Sequence, residues 1–233
     1  MVQRWEHLLF AHWEVTPEAV QRTLPEELTV DTWEGRAFVG VVPFWMRGIR
    51  PCGFPAVPWL SNFLELNVRT YVHDRAGNPG VWFYSLDCSQ PVAVWLARAQ
   101  FGLPYHHARM NAARSKAGVV RYRSQRWQSA AEGMFSYRCG AAQPVAVQGS
   151  LEFFLVERYL LFAEHRGRLL RGQVHHAPYG LCEIDEAAIA ITGLAPAGLE
   201  CAGPPVHMAG SPGVQVEVFS PEWVGDSRFS PRP

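Results

Sequence analysis

The sequence predicts an antiparallel, β-rich α+β domain whose sheet closes or nearly closes into a barrel, flanked by two or three helices. Three observations predict it. Apolar and polar residues alternate cleanly from Leu64 to Val72, further apolar runs are joined in hairpins by Gly-containing turns, and no linker or charge run divides the chain. Strands joined mainly by hairpins, with few helices between them, define the class. Closure would leave few edges open to other chains. Residues 1–233 therefore read as a single domain.

Each element follows from local chemistry. Thr16-Pro17-Glu18 starts a helix, with a capping hydroxyl and a proline in the first turn, and Leu24-Pro25 ends it. Val30 to Trp33, the turn Glu34-Gly35, and Arg36 to Phe44 form a hairpin. Residues 51–58, with three prolines and a glycine, form an irregular loop. On the strand from Leu64 to Val72, Leu64, Leu66, Val68, Thr70 and Val72 share one face, and Glu65, Asn67, Arg69 and Tyr71 share the other. Val81 to Leu86 returns after the turn 74–80. Pro91 opens a helix over 91–101 with Val92, Trp95, Leu96 and Ala99 as its apolar positions, and Gly102 stops it. Residues 102–109 read as a turn. Met110 to Ala113 and Val119 to Ser124 pair across a tip at Lys116, and Phe135 to Cys139 is a further strand. Ser150 caps a helix from Leu151 to Arg158. Tyr159 to Glu164 and Leu169 to His176 form a third hairpin. Residues 193–213 read as loop, and Val214 to Phe219 as the last strand.

Composition narrows the function. The 21 Lys+Arg balance 21 Asp+Glu, which removes the general attraction to phosphate that a nucleic-acid partner requires. No apolar run approaches a membrane span, so no membrane partner is expected. Five widely spaced cysteines without a CxxC pair favour reduced thiols and a cytoplasmic protein. No phosphate-binding glycine loop or nucleophile elbow occurs, and no cofactor is expected.

Two segments carry candidate chemistry. The polar stripe reads either as a solvated outer face or as the lining of an inward cavity, where Arg69 suits a carboxylate, Glu65 suits proton transfer, and Asn67 lies between them. Tyr105-His106-His107 brings a phenol and two imidazoles into one turn, with His106 as acid or base; were the segment a strand, His106 and His107 would face opposite ways. Trp82 and Tyr84 would wall the pocket, and His107 and His175 complete the ligand-contact set. His175-His176 with His106-His107 raises a metal site, but adjacent histidines rarely ligate one ion, and none is expected. The candidate set is thus His106, Glu65 and Tyr105 for catalysis, with Arg69, Asn67, Tyr84, Trp82, His107 and His175 for binding. The expected partner is a small anionic or oxygenated organic ligand. An acid–base enzyme, and a regulatory or homo-oligomeric protein meeting partners through exposed aromatics, stand as alternatives.

Trp5 to Trp13, Leu24-Pro25 with Leu28 to Asp31, Gly40 to Phe44, Glu65 to Tyr71, Gly80 to Leu86, Phe101 to Tyr105, Gly172 to His176 and Ser211 to Val214 occur in the same order in the DUF2071 (YqjF-like) family, which the chain resembles over residues 4–221. A weaker, local resemblance, near 25–31 and from Pro91-Val92-Ala93-Val94 to Leu103-Pro104, is to acetoacetate decarboxylase. It implies that enzyme's β-barrel around an inward cavity. In the decarboxylase two consecutive lysines follow the proline, one lowering the other's pKa so that a neutral amine forms a Schiff base. Tyr105 and His106 stand at the matching positions here. Lys116, the single lysine, falls at a hairpin tip. The resemblance thus implies the container without imine chemistry.

Overall fold

In the computed structural model, which describes residues 1–165 and 167–224 (backbone alone at 99–101), thirteen strands form one sheet. The first half supplies β1 (Val2–Val15), β2 (Leu28–Val30), β3 (Ala37–Arg50), β4 (Phe63–Asp74), β5 (Pro79–Cys88) and β6 (Tyr105–Arg114). The second half supplies β7 (Val120–Arg126), β8 (Glu132–Ala142), β9 (Leu160–His165), β10 (Arg168–His176), β11 (Cys182–Thr192), β12 (His207–Val218) and β13 (Glu222–Trp223). The helices are α1 (Pro17–Gln21), α2 (Pro91–Phe101) and α3 (Leu151–Val156).

The pairings close into two fused rings. The first runs β10-β9-β5-β4-β3-β1-β12 and returns to β10 through Val174↔Val218. The second runs β5-β6-β7-β8-β11-β12-β1-β3-β4 and returns to β5. Five strands, β12-β1-β3-β4-β5, serve both. Two joints depart from an all-antiparallel reading: β5 pairs in parallel with β6 and with β9. The first of these is a strand–helix–strand crossover through α2, the connection that parallel neighbours need.

The shared sheet is buried on both faces, so alternation along its strands sorts residues between two interiors. Leu66 and Val68 of β4 join Leu9, Val39, Tyr122, Phe135 and Tyr137 in the packed core of the second ring. Glu65, Asn67 and Arg69 point into the first. A bulge in β1 reverses the parity there: His7 has φ 52° and the register with β3 breaks between Glu6 and Ala11. Trp5 therefore faces the first ring before the bulge, and Leu8 and Phe10 face it after.

α3 plugs one end of the first ring, with Leu155 and Val156 fully buried. The Ser150 hydroxyl accepts from the Phe153 N–H as its cap. The loop 51–62 and α2 border the other end. α2 is capped by the Gln90 side chain and stopped by Gly102 at φ 59°. It buries Val94 and turns Ala93, Leu96 and Ala97 inward, while Val92 and Trp95 are exposed, contrary to the expected apolar face. The side chain of Ala99 lies outside the described residues.

Several boundaries move. β1 and β11 have no counterpart in the sequence reading, β6 absorbs the expected turn at 105–109, and β12 begins at His207 inside the expected loop. The expectation of five reduced thiols is corrected at one pair: Cys139 and Cys182 form a disulfide between β8 and β11, with Cα atoms 5.7 Å apart, while Cys52, Cys88 and Cys201 are free. Among the described residues no helix is long and apolar enough to cross a membrane.

Candidate functional site

The first ring encloses a cavity of about 480 Å³. β4 lays Glu65, Asn67 and Arg69 along one wall. β3, paired with β4 through Phe44↔Glu65 and Val42↔Asn67, continues that wall with apolar groups.

Arg69 is the central feature. Its residue is 8% exposed, and none of the ion pairs among the described residues includes it. Its Nη2 donates to the Leu155 carbonyl at 3.0 Å, and its Nε is buried without a partner in the protein. The guanidinium lies 5.7 Å from the ring centres of both Phe10 and Tyr71. Leu155 sits in the last turn of α3, whose carbonyls lack helical donors. Arg69 shares this carbonyl with the Tyr71 hydroxyl, which donates to it at 2.7 Å. Because Tyr71 spends its proton there, His12 Nε2 is the donor to Tyr71 Oη at 2.7 Å. Burial holds the His12 pKa well below 6.5, so its Nδ1 accepts from His207 Nδ1 at 3.0 Å.

Glu65, 3% exposed, accepts from the Tyr105 hydroxyl at 3.0 Å. Burial pushes its pKa up to about 8, opposed by the Tyr105 hydrogen bond. It is therefore mainly a neutral acid at pH 7, poised to give a proton. Asn67 Oδ1 and Trp5 Nε1 are also buried without partners in the protein. The other charged side chains of the lining are engaged. Arg158 pairs with Asp31 at 2.7 Å, and Arg50 donates to the Gly48 carbonyl at 2.9 Å.

Of the residues singled out from sequence, Glu65, Asn67, Arg69 and Tyr105 line one cavity. The others do not. His106 turns away from Tyr105 along β6; burial, Arg126 and Arg98 lower its pKa to about 4. His107 stacks on Trp127 at 5.9 Å, and His175 is exposed on the outer face of β10. Trp82 packs with Leu28 and Phe162, and Tyr84 hydrogen-bonds Thr23 at 2.7 Å. The walls that Trp82 and Tyr84 were expected to form come from Val81 and Phe83, because Phe83 pairs with Arg69 and paired residues share a face. Trp5, Arg158 and Tyr179 also line the cavity and were not singled out. Their contribution depends on ring closure and on the bulge at His7, which no local pattern reports.

A double-ring β-barrel with one packed ring and one hollow, polar-striped ring is the class this geometry defines. Residues 2–215 match the profile of DUF2071, a family of uncharacterized conserved proteins, and the chain belongs to that family. It is 36% identical over 193 residues to the uncharacterized protein YqjF of Bacillus subtilis (strain 168), covering 82% of this chain and 78% of that one. Among solved structures, an acetoacetate decarboxylase-like enzyme from Sphingomonas wittichii RW1 superposes with a TM-score of 0.69 at 15% identity, over 96% of this chain and 92% of that one. The acetoacetate decarboxylase of Legionella pneumophila gives 0.67 at 13%, over 97% and 88%. The enduracididine biosynthesis enzyme MppR, complexed with pyruvate, gives 0.65 at 14%, over 97% and 90%. These likenesses show an acetoacetate decarboxylase-like fold.

Proposed function

We propose that the first ring binds a small organic ligand with an anionic or oxygenated head, held by Arg69. The observation that supports this is a buried guanidinium that, among the described residues, has no carboxylate paired with it. Burying an uncompensated charge costs several kcal/mol. One hydrogen bond to a carbonyl and two ring contacts offset about 2–5 kcal/mol of that. A ligand carboxylate would supply the missing counter-charge. Amine chemistry is not part of this reading: Lys116 is exposed on the β6–β7 turn, and Tyr105 is the residue that lines the cavity where the resemblance puts the lysine pair.

A second reading is favoured by Glu65. A carboxyl neutral near pH 7, hydrogen-bonded to a phenol inside a cavity, suits an imine-free lyase, isomerase or hydrolase acting on keto or enol compounds, with Arg69 stabilising enolate charge.

Thermal-shift screening with a panel of carboxylates, small oxo acids included, tests the first reading. A ligand at about 100 times its Kd stabilises the protein by about 2.7 kcal/mol, and Arg69→Gln abolishes the shift. A panel that stabilises neither protein rejects the reading. Turnover of 2-oxo and 3-oxo acids by wild type and Glu65→Gln tests the second. Turnover that Glu65→Gln leaves intact removes Glu65 from the chemistry.

A further inference from the structure

Resting on the reading of the hollow ring as a ligand site, we infer that its occupant is an amphipathic monocarboxylate, with the head at Arg69 and an acyl or aryl body filling the ring toward the loop 51–62. Beside the β4 stripe, Gln3, Trp5, Tyr105 and Arg158 add polar groups to the cavity, and most of the remaining wall is carbon. The surrounding strands and helix present carbon: Leu8 and Phe44 beside the stripe, and Phe83, Leu161, Val174 and Leu96 from β5, β9, β10 and α2. A volume of about 480 Å³ falls within the ~300–1,000 Å³ range of cavities that hold drug-sized ligands. A three- or four-carbon oxo acid would satisfy Arg69 and leave most of that apolar wall uncovered. An apolar body removes it from water.

The depth agrees. Arg69 and Phe63 both line the cavity, and they lie six residue steps apart along β4, about 20 Å at ~3.3 Å per residue. Arg69 lies beside the α3 plug and Phe63 beside the loop 51–62. The head is thus held deep and the body extends outward. The stoichiometry follows from charge and position: Arg158 is neutralised by Asp31, and Arg50 lies at the end of β3 beside the loop 51–62, so Arg69 is the unpaired guanidinium at the α3 end, suited to one carboxylate. The approach to the cavity is apolar as well, since the bordering segments expose Phe54, Trp59 and Trp95.

The test is a calorimetric titration of the full chain with straight-chain carboxylates from acetate to myristate, each below its micelle concentration, alongside pyruvate, decanol and decylamine. Affinity for the carboxylates should tighten about fourfold per methylene until the ring is full. Decanoate should bind at least tenfold more tightly than decylamine. Arg69→Gln should weaken decanoate by about tenfold or more while leaving decanol unchanged. The wild-type chain-length series stands even if that variant does not fold. Affinity that is independent of chain length, or tighter for pyruvate than for decanoate, overturns this inference and leaves the proposed ligand site standing. Binding of none of these probes overturns both.

Discussion

The two rings share five strands yet end in opposite states, one filled and one hollow. On β4 the residues facing the second ring are Leu66 and Val68, which pack against Tyr122, Phe135 and Tyr137. Those facing the first ring are Glu65, Asn67 and Arg69, two of which keep buried polar atoms without partners in the protein. One sheet thus has a face closed by side-chain volume and a face kept open by polar groups that pack poorly against carbon. Packing resides in the first face, and the proposed ligand site lies on the second. Tyr122 ties the filled ring to the stripe: its hydroxyl donates to the Glu65 backbone carbonyl at 2.8 Å, anchoring the strand that carries it.

Truncating each side tests that division most strongly. Phe135→Ala, in the filled ring, should cost about 3–5 kcal/mol in urea denaturation, because its neighbours cannot collapse into the void. Phe83→Ala, on the hollow side, should cost roughly half as much, since one side of that ring already borders empty space. Equal losses would mean that the two interiors are packed alike.

The next effect is linked to pH. Glu65 keeps its proton to about pH 8 when folded and loses it near 4.5 when unfolded. Its contribution to stability is therefore fully present below pH 4.5, falls between there and pH 8, and is absent above. The slope is on the order of 1.4 kcal/mol per pH unit. Urea denaturation at several pH values should show this slope in wild type and its loss in Glu65→Gln. An unchanged profile would place an ionised carboxylate in the cavity.

Tyr105→Phe is a smaller change. It should cost about 1 kcal/mol at pH 5 and move the upper end of that titration above pH 8, because the hydrogen bond it removes favours the ionised form. A downward move would show that the phenol does not donate to Glu65. The smallest effect on stability is expected for Arg69→Met: Tyr71 still satisfies the Leu155 carbonyl, and a buried charge is removed, so the unliganded protein should change by less than about 1 kcal/mol. A large loss would make Arg69 a structural cap of α3.

What could be read from sequence follows the same division. The period-two alternation from Leu64 to Val72 identifies two faces of β4 but not which of them lines a cavity; the hairpins β4–β5, β6–β7 and β9–β10, α2 with its Gly102 stop, and the Ser150 cap of α3 are likewise local signals, whereas the expected hairpin over 30–44 fails because β2 pairs with β4. β1 escapes because the bulge at His7 shifts its alternation mid-strand, and β11 escapes because Glu183, Asp185 and Glu186 resemble a solvated loop. The histidines mislead for a related reason. Composition identifies His106 as a proton carrier, but strand parity gives the cavity to Tyr105 and turns His106 toward Arg126. Face assignment on β5 depends on its pairing with β4, a long-range fact that Trp82 and Tyr84 do not carry themselves.

The central claim is that Arg69 anchors an anionic ligand in the hollow ring, and its side-chain Nε–H, buried without a partner, reports on this directly. In nitrogen-15 NMR, its signal, assigned by its loss in Arg69→Gln, should shift in step with saturation as decanoate is titrated into wild type. Saturable binding that leaves that resonance unmoved would place the ligand elsewhere and contradict the account.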